Sequence, residues 1–165
     1  MFISARQGKS LRSQFQWLAI TIGLACSLPL YANQQDMQQA DALLNTLHQR
    51  AADAQWDGYF SLYRPDAVFI GTDATERWSM SEFEGYARPT KGWRYSVDNR
   101  KLIQHDNVIL FDEQLSSQAY GVCRGTGTLL KTDGNWQIAQ YHLSIPIPND
   151  MAKSITAQIK AATKK

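Results

Sequence analysis

The sequence predicts an α+β domain, with helices in its first half and an antiparallel sheet in its second half. Between Gln35 and Ala54 the apolar residues recur at steps of three and four, which is typical of an amphipathic helix with one buried stripe. From about residue 93 the pattern changes to strand-length apolar runs separated by turn residues. Helices followed by an antiparallel meander indicate the α+β class.

Three short elements are expected between the long helix and the sheet. A second helix runs from Trp56 to Tyr63 and stops before Pro65, because the residue that precedes a proline is pushed out of the helical region. A short strand follows at 68–70. A third helix is expected over 79–86, with Glu82 placed to complete a capping box.

Four strands and a final helix complete the prediction. The strands are expected at about 93–104, 107–117, 121–131 and 135–145, with turns at Asp106-Asn107, Gln118-Ala119 and Asp133-Gly134. A marginal helix capped near Asn149 follows them.

The last turn decides which side chains share a face of the sheet. If Asp133-Gly134 belongs to a three-residue loop with Gly134 in the left-handed bulge position, Arg124 faces His142. If the turn has only two residues, every pairing slips by one and Gly125 lies opposite His142.

Polar residues lie inside strands that otherwise have the composition of a sheet core. Such groups must be paired or must face a wet cavity, and a pocket is the simpler explanation. We favour the bulged turn because it brings the polar set together. We therefore predict Arg124, Thr126 and Gln140 as ligand-binding residues beside His142.

A turn centred on Gln118-Ala119 would bring Glu113 opposite Arg124, so that Glu113, Arg124 and His142 form a row on three strands, about 5 Å apart per step. Such a row could be a structural ion pair, could bind an anion through Arg124, or could move a proton if burial tunes the pKa values. The candidate catalytic residues are Glu113 and His142.

Further ligand contacts are expected near the mouth of the pocket. Asp73 lies in a loop that could reach it, although Asp73 could equally cap a turn. Trp78 and Tyr95 are the predicted aromatic contacts, since an aromatic-lined pocket suits a flat hydrophobic ligand. His48 and His105 are expected at the surface. The aromatic residues from which such a lining could come are Trp56, Tyr59, Phe60, Phe69, Trp78, Phe83, Trp93, Tyr95 and Tyr120.

Four sequence motifs lie within roughly residues 36–150: Gly71-Thr-Asp-Ala-Thr-Glu-Arg-Trp78, Phe111-Asp-Glu113, Arg124-x-Thr126 with Asp133-Gly134-x-Trp136, and Tyr141-His-Leu-Ser144 before Ile145-Pro-Ile-Pro-Asn149. Together they resemble the SnoaL-like branch of the nuclear transport factor two-like superfamily. The resemblance implies a cone-shaped, strongly bent antiparallel sheet wrapped around N-terminal helices, a nuclear transport factor two-like or cystatin-like roll. Its relatives include isomerases, cyclases, dehydratases, assembly hubs and binders.

The first 32 residues have the pattern of a secretory signal peptide. A basic start is followed by a mostly apolar run and by Leu30-Tyr-Ala32, which offers a cleavage site before Asn33. The expected organisation is a signal peptide at 1–32, a SnoaL-like domain at 33–150 and a helical tail at 151–165. We expect a periplasmic or secreted protein with no membrane span after cleavage. A lipoprotein processed at Cys26 is the alternative.

Composition argues against several classes of function. Cleavage removes three basic residues from the 17 basic and 15 acidic residues of the chain, so the mature protein has no basic surplus and no nucleic-acid partner is expected. Cys123 alone would remain, which rules out an intrachain disulfide. No metal-binding or nucleotide-binding motif occurs, so neither a metal nor a cofactor is expected.

The sequence thus predicts an exported domain that binds a small, partly apolar, anionic molecule in its cone. The first alternative is an enzyme of the isomerase, cyclase or dehydratase type that uses an acid–base pair, and the second is a dimerisation or assembly module. A homodimer is expected through the outer sheet face, which would hide apolar side chains such as Ile109, Phe111 or Leu129, whichever of them the strand register turns outward.

Overall fold

The computed structural model describes residues 28–163, so Cys26 and most of the predicted signal peptide lie outside it. The chain divides into two units after Gln38, and all contacts of the candidate functional site lie in the second unit. The elements in chain order are α1 (Leu28–Ala52), α2 (Trp56–Phe60), β1 (Tyr63–Ile70), β2 (Arg77–Ser79), α3 (Met80–Ala87), β3 (Ser96–His105), β4 (Val108–Ser117), β5 (Gly121–Thr132), β6 (Asn135–Ser144) and α4 (Asn149–Ala162).

The six strands form one curved, open sheet in the order β2-β1-β6-β5-β4-β3. All neighbouring pairs are antiparallel except β1 and β6, which run parallel. The long connection between these two strands contains α3 and the β3–β4 and β4–β5 hairpins. The α+β prediction and the bent sheet are therefore confirmed.

A helix stripe and the inner sheet face make the core. Ala40, Leu44, Leu47 and Ala51 of α1 are at most 2% exposed, as the helical spacing predicts. The sheet contributes Ile109, Leu115 and Leu129, which are fully buried. Burying each of these large aliphatic side chains stabilises the fold by about 1.5–3 kcal/mol.

The segment after α2 is a strand where the sequence predicted helix. Helix α2 ends at Phe60, and β1 already begins at Tyr63, which pairs with Ile138 of β6. Pro65 lies within the register shift between Tyr63 and Val68, where its missing N–H interrupts no ladder hydrogen bond. Strand β2 was not predicted, whereas the capping box of Ser79 and Glu82 at the start of α3 is confirmed.

The β5–β6 hairpin has the two-residue turn, so the predicted bulged loop is wrong. Both Asp133 and Gly134 have a positive φ, of 51° and 80°, and Thr132 pairs directly with Asn135. Two consecutive left-handed residues are the conformation that matches the right-handed twist of a hairpin. Aspartate tolerates the left-handed region better than most residues, so Gly134 need not carry the turn alone.

A β-bulge lies further along the same hairpin. Leu129 pairs with Ile138 but Thr128 pairs with Gln140, so Ala139 is the extra residue. The bulge inverts the faces of β6 beyond it and turns Tyr141 inward, where it is 5% exposed. Without the bulge, the alternation of side chains would send Tyr141 to the outer face.

The predicted row of Glu113, Arg124 and His142 is wrong because the β4–β5 and β5–β6 hairpins both differ in register from the expected pairing. The β4–β5 loop has three residues, because Ser117 pairs with Gly121, whose φ is 71°. Glu113 therefore pairs with Gly125, and Arg124 pairs with Gln114 and Ser144 on the outer face.

The rest of the predicted polar set also lies outside. His142 pairs with Thr126, and Gln140 pairs with Thr128, all on the outer face of the sheet. These polar side chains reach solvent there and need no pocket to satisfy them.

The apolar side chains expected to form a dimer interface point inward. Ile109, Phe111 and Leu129 are at most 4% exposed and belong to the core. The outer face of β4 presents Leu110 and Asp112 instead. The homodimer stays a prediction, and these three residues cannot form its interface.

Helix α4 forms as expected, but no residue in it is buried. Pro148 occupies the N-cap position, and Asn149 is the first helical residue rather than the cap. Within residues 28–163, no helix is both long enough and apolar enough to cross a membrane.

Candidate functional site

A buried carboxylate lies between α1 and the inner face of the sheet. Glu113 is 1% exposed, although carboxylates are rarely buried without partners. His48 Nε2 lies 3.0 Å from Oε1 and 3.1 Å from Oε2 of Glu113. Tyr141 Oη donates to Oε1 at 3.1 Å, and Arg100 donates to Oε2 through Nε at 2.8 Å and Nη2 at 2.6 Å. We call Glu113, His48, Arg100 and Tyr141 the carboxylate cluster.

Arg100 also ties the cluster to α1. Its side chain is only 5% exposed, and its Nη1 donates to Asp41 Oδ1 at 2.6 Å and to Asn45 Oδ1 at 2.8 Å. The guanidinium therefore lies between two carboxylates, those of Glu113 and Asp41. A buried guanidinium whose three nitrogens all donate to acceptors avoids much of the cost of burying a charge.

The cluster keeps Glu113 ionised. Burial alone would raise the pKa of Glu113, but the hydrogen bond and charge of His48 and the Arg100 guanidinium outweigh burial and hold this pKa below its ordinary value. An ionised carboxylate only accepts hydrogen bonds, so Nε2 of His48 must carry the proton. Burial and the Glu113 charge raise the pKa of Tyr141 well above its ordinary value, so Tyr141 stays a neutral donor.

Gly125 makes room for the cluster. A Cβ at this position would lie 2.3 Å from Tyr141 Oη and 3.1 Å from Glu113 Oε1. Any residue with a Cβ at position 125 would obstruct the contact between the Tyr141 hydroxyl and the Glu113 carboxylate. The helix supplies the remaining partners at a regular spacing, since Asp41, Asn45 and His48 follow one another at steps of four and three beside the buried stripe.

An aromatic-lined cavity of about 200 Å³ opens next to the cluster. His48 and Tyr141 line it, so the cluster presents an imidazole and a phenol to the cavity while Glu113 lies behind them. Cys123 also lines the cavity, and burial raises the pKa of its thiol. The aromatic lining consists of Tyr59, Phe69, Trp78, Phe83, Tyr86, Trp93, Tyr95, Tyr120 and Tyr141.

The aromatic rings are held by one another. Phe69 stacks on Phe83 with ring centroids 3.8 Å apart, and Trp78 lies 5.0 Å from Tyr86. Tyr86 and Tyr120 are 55% and 63% exposed, so they mark the mouth of the cavity. Burial raises the pKa of Tyr95 to about 12, which leaves it a neutral hydroxyl.

The predicted ligand contacts are only partly brought together. Trp78 and Tyr95 line the cavity, whereas Asp73 does not. The Asp73 carboxylate accepts from Thr75 N at 2.8 Å and from Thr75 Oγ1 at 2.6 Å, which is a turn-capping arrangement. Glu76, from the same loop, lines the cavity instead.

The outer-face residues Arg124, Thr126, Gln140 and His142 do not line the cavity, so the anion anchor expected of Arg124 is absent from it. The prediction that His48 is a surface residue is also wrong, since its side chain is 11% exposed and contacts Glu113. The sequence feature that could have predicted its inward position is the place of His48 on α1, one residue after the buried Leu47.

No group of three or more histidine, cysteine, aspartate or glutamate side chains that could hold a metal ion occurs within residues 28–163. Every buried side-chain nitrogen and oxygen in that range has a hydrogen-bond partner.

Glu113→Gln should lower stability in a pH-dependent way. Since the pKa of Glu113 is lower in the folded protein than in the unfolded chain, its stabilising contribution is present above the unfolded value of about 4.3 and is lost as the pH falls through the folded value. At pH 7 we expect the free energy of unfolding to fall by about 3 kcal/mol, because Arg100 and His48 lose a buried partner. Urea unfolding at pH 7 and pH 3 measures this difference.

The difference in the free energy of unfolding between wild type and Glu113→Gln should be smaller at pH 3 than at pH 7. The matched control is Asp112→Asn, on the neighbouring but exposed position of β4, which should change stability by less than about 0.5 kcal/mol. If the difference in the free energy of unfolding were the same at both pH values, the proposed dependence of stability on the ionisation of Glu113 would be contradicted.

A comparison of the sequence with protein families finds the SnoaL-like domain over residues 40–148. A search of curated proteins finds no match. Several solved structures share the fold. One is a Mycobacterium tuberculosis protein of unknown function, with 15% identity and a TM-score of 0.62, covering 81% of this chain and 92% of that chain.

Two other solved structures are similar at the level of the fold. A nuclear transport factor two-like protein of unknown function from Pseudomonas putida has 15% identity, a TM-score of 0.59, and coverage of 73% of this chain and 92% of that chain. A proposed scytalone dehydratase from Novosphingobium aromaticivorans has 9% identity, a TM-score of 0.60, and coverage of 70% and 87%. The matched region takes in β1 to β6, the carboxylate cluster and the cavity, and the chain belongs to the SnoaL-like domain family.

Proposed function

We propose that the protein is an exported binder that holds a small, flat, largely apolar molecule in the aromatic cavity. The observation that supports this proposal is the cavity itself, a concave space of about 200 Å³ lined mainly by aromatic rings. Apolar concave sites with a few convergent polar groups are the usual form of small-molecule sites. The volume exceeds the ~150 Å³ of an apolar cavity that admits benzene.

The polar groups at the cavity wall suit orientation of a ligand. His48 and Tyr141 are held by Glu113, so a ligand group that meets them meets preorganised partners. Preorganisation lowers the entropic cost of binding.

The pairing of Glu113 favours binding over its use as a base. Oε1 accepts from His48 and Tyr141, and Oε2 accepts from two Arg100 nitrogens and lies within reach of His48. A carboxylate with about four lone-pair sites has none left for a substrate proton in this arrangement.

Binding can be tested with 2-naphthol, a neutral bicyclic probe. Its titration should change the fluorescence of Trp78 and Trp93, which line the cavity, with sub-millimolar affinity. Ala51→Leu should raise the Kd at least fivefold, because Ala51 lines the cavity and a larger side chain fills part of it.

The matched control is Ala42→Leu, the same substitution on the exposed face of α1, which should leave the Kd within twofold. Equal affinity in wild type and Ala51→Leu would place the probe elsewhere and contradict the proposal.

A second candidate function is proton transfer by His48. The imidazole lines the cavity with a carboxylate behind it, an arrangement that orients a histidine and fixes its tautomer. One similar structure is called a proposed scytalone dehydratase and another a proposed dehydratase from Streptomyces avermitilis. In this candidate His48 takes the role that the sequence assigned to His142.

The general-base probe 5-nitrobenzisoxazole tests this candidate. A base removes the C3 proton, the N–O bond breaks, and the product is a coloured phenolate. If His48 is a base, His48→Gln should lower the rate at least tenfold. His142→Gln, on the outer face, should leave it unchanged. A rate equal to that of solvent and buffer alone would reject catalysis and leave binding standing.

Export is supported by the basic start and apolar run of residues 1–32. Cleavage after Ala32 would remove the start of α1, before any residue of the cluster. N-terminal sequencing of the protein from its native host should find Asn33. An intact Met1 or a lipidated Cys26 would contradict this part of the proposal.

A further inference from the structure

We propose that the ligand of the cavity is an organic cation, with a quaternary or protonated ammonium group held between the Glu76 carboxylate and aromatic rings. This inference rests on the proposed binding function and adds the charge of the ligand. It replaces the anionic ligand that the sequence suggested through Arg124, which lies on the outer face.

The charges of the cavity wall favour a cation. Within residues 28–163, no lysine or arginine side chain lines the cavity, whereas Glu76 does. The buried guanidinium of Arg100 is paired with Glu113 and Asp41 at 2.6 Å each. Even if His48 is protonated, the net charge is zero for the group of Arg100, His48, Glu113 and Asp41. Glu76 therefore determines the sign of the charge at the cavity.

Within residues 28–163, Glu76 is held in position without a cationic partner. Its Oε2 accepts from Asp73 N at 3.1 Å, and its carbonyl accepts from Gly71 N at 2.8 Å. A Cβ at Gly71 would lie 2.1 Å from Oε2, so the glycine provides the space that the carboxylate occupies. Within the described residues no lysine, arginine or histidine forms an ion pair with Glu76.

Aromatic faces provide the second attraction. Trp78 follows Glu76 closely in the chain, and its ring lies 5.0 Å from Tyr86, which in turn lies 6.5 Å from Trp93. All three rings line the cavity. The negative face of an aromatic ring attracts a cation, most strongly for tryptophan, and several rings with a carboxylate form the usual cage for an ammonium group. A neutral or anionic ligand would leave Glu76 without this interaction.

Choline and its carbon isostere 3,3-dimethyl-1-butanol have the same shape, but only choline is charged, so comparing them measures the effect of charge on binding. Both are titrated into the full-length mature protein by calorimetry at low salt, with 2-naphthol as the neutral reference. We expect the Kd of choline to be at least tenfold lower than that of the isostere, and to rise with added NaCl while the Kd of the isostere does not.

Glu76→Gln keeps an oxygen for the Asp73 N–H but removes the charge. It should raise the Kd of choline at least fivefold and change that of 2-naphthol by less than twofold. Asp112→Asn removes the same charge from the outer face and should leave both values within twofold.

The outcomes distinguish the two proposals. If 2-naphthol binds but choline binds no more tightly than its isostere, the cation proposal is overturned and the binding function stands. Choline binding that Glu76→Gln leaves unchanged also overturns it. If neither choline nor 2-naphthol binds, the proposed binding function fails together with the inference.

Discussion

The buried carboxylate of Glu113 is the constraint on which the arrangement of this domain depends. Glu113 lies on β4, and its partners come from α1, β3 and β6, so one ionised side chain joins four elements. Removing one partner of a buried ion pair costs more than the pair contributes, because the remaining charge stays buried. The cluster therefore penalises any packing in which the helix and the three strands are not together.

Two backbone features allow Tyr141 to reach Glu113 and complete the carboxylate cluster. The bulge at Ala139 turns Tyr141 to the inner face, and Gly125 leaves the space through which its hydroxyl reaches Glu113. The same bulge sends His142 outward. A change of one residue in pairing thus decides which of two neighbouring side chains, a tyrosine or a histidine, faces the cavity.

The site, rather than the fold, carries the functional argument. SnoaL-like and nuclear transport factor two-like folds host several unrelated functions, so membership of the family does not choose between binding and chemistry. Here the carboxylate behind the cavity is saturated with hydrogen bonds, while the aromatic wall and Glu76 face the space that a ligand would fill. These contacts favour recognition of a small molecule by shape and charge.

The sequence by itself determined the class of the fold and most of its elements, with β2 and the start of β1 as exceptions. The α1 stripe of Ala40, Leu44, Leu47 and Ala51 and the Ser79 capping box are local patterns that neighbouring residues enforce. It also singled out Glu113, Trp78 and Tyr95. Only the tertiary structure decided the partners of Glu113. The sequence favoured Arg124 and His142, whereas the fold supplies Arg100 from β3 and His48 from α1. The strand pairing depends on a turn, a loop length and a bulge, and their alternatives differ little in energy in an isolated chain. Packing of the helix stripe and burial of the charge select among them, and both are properties of the whole fold.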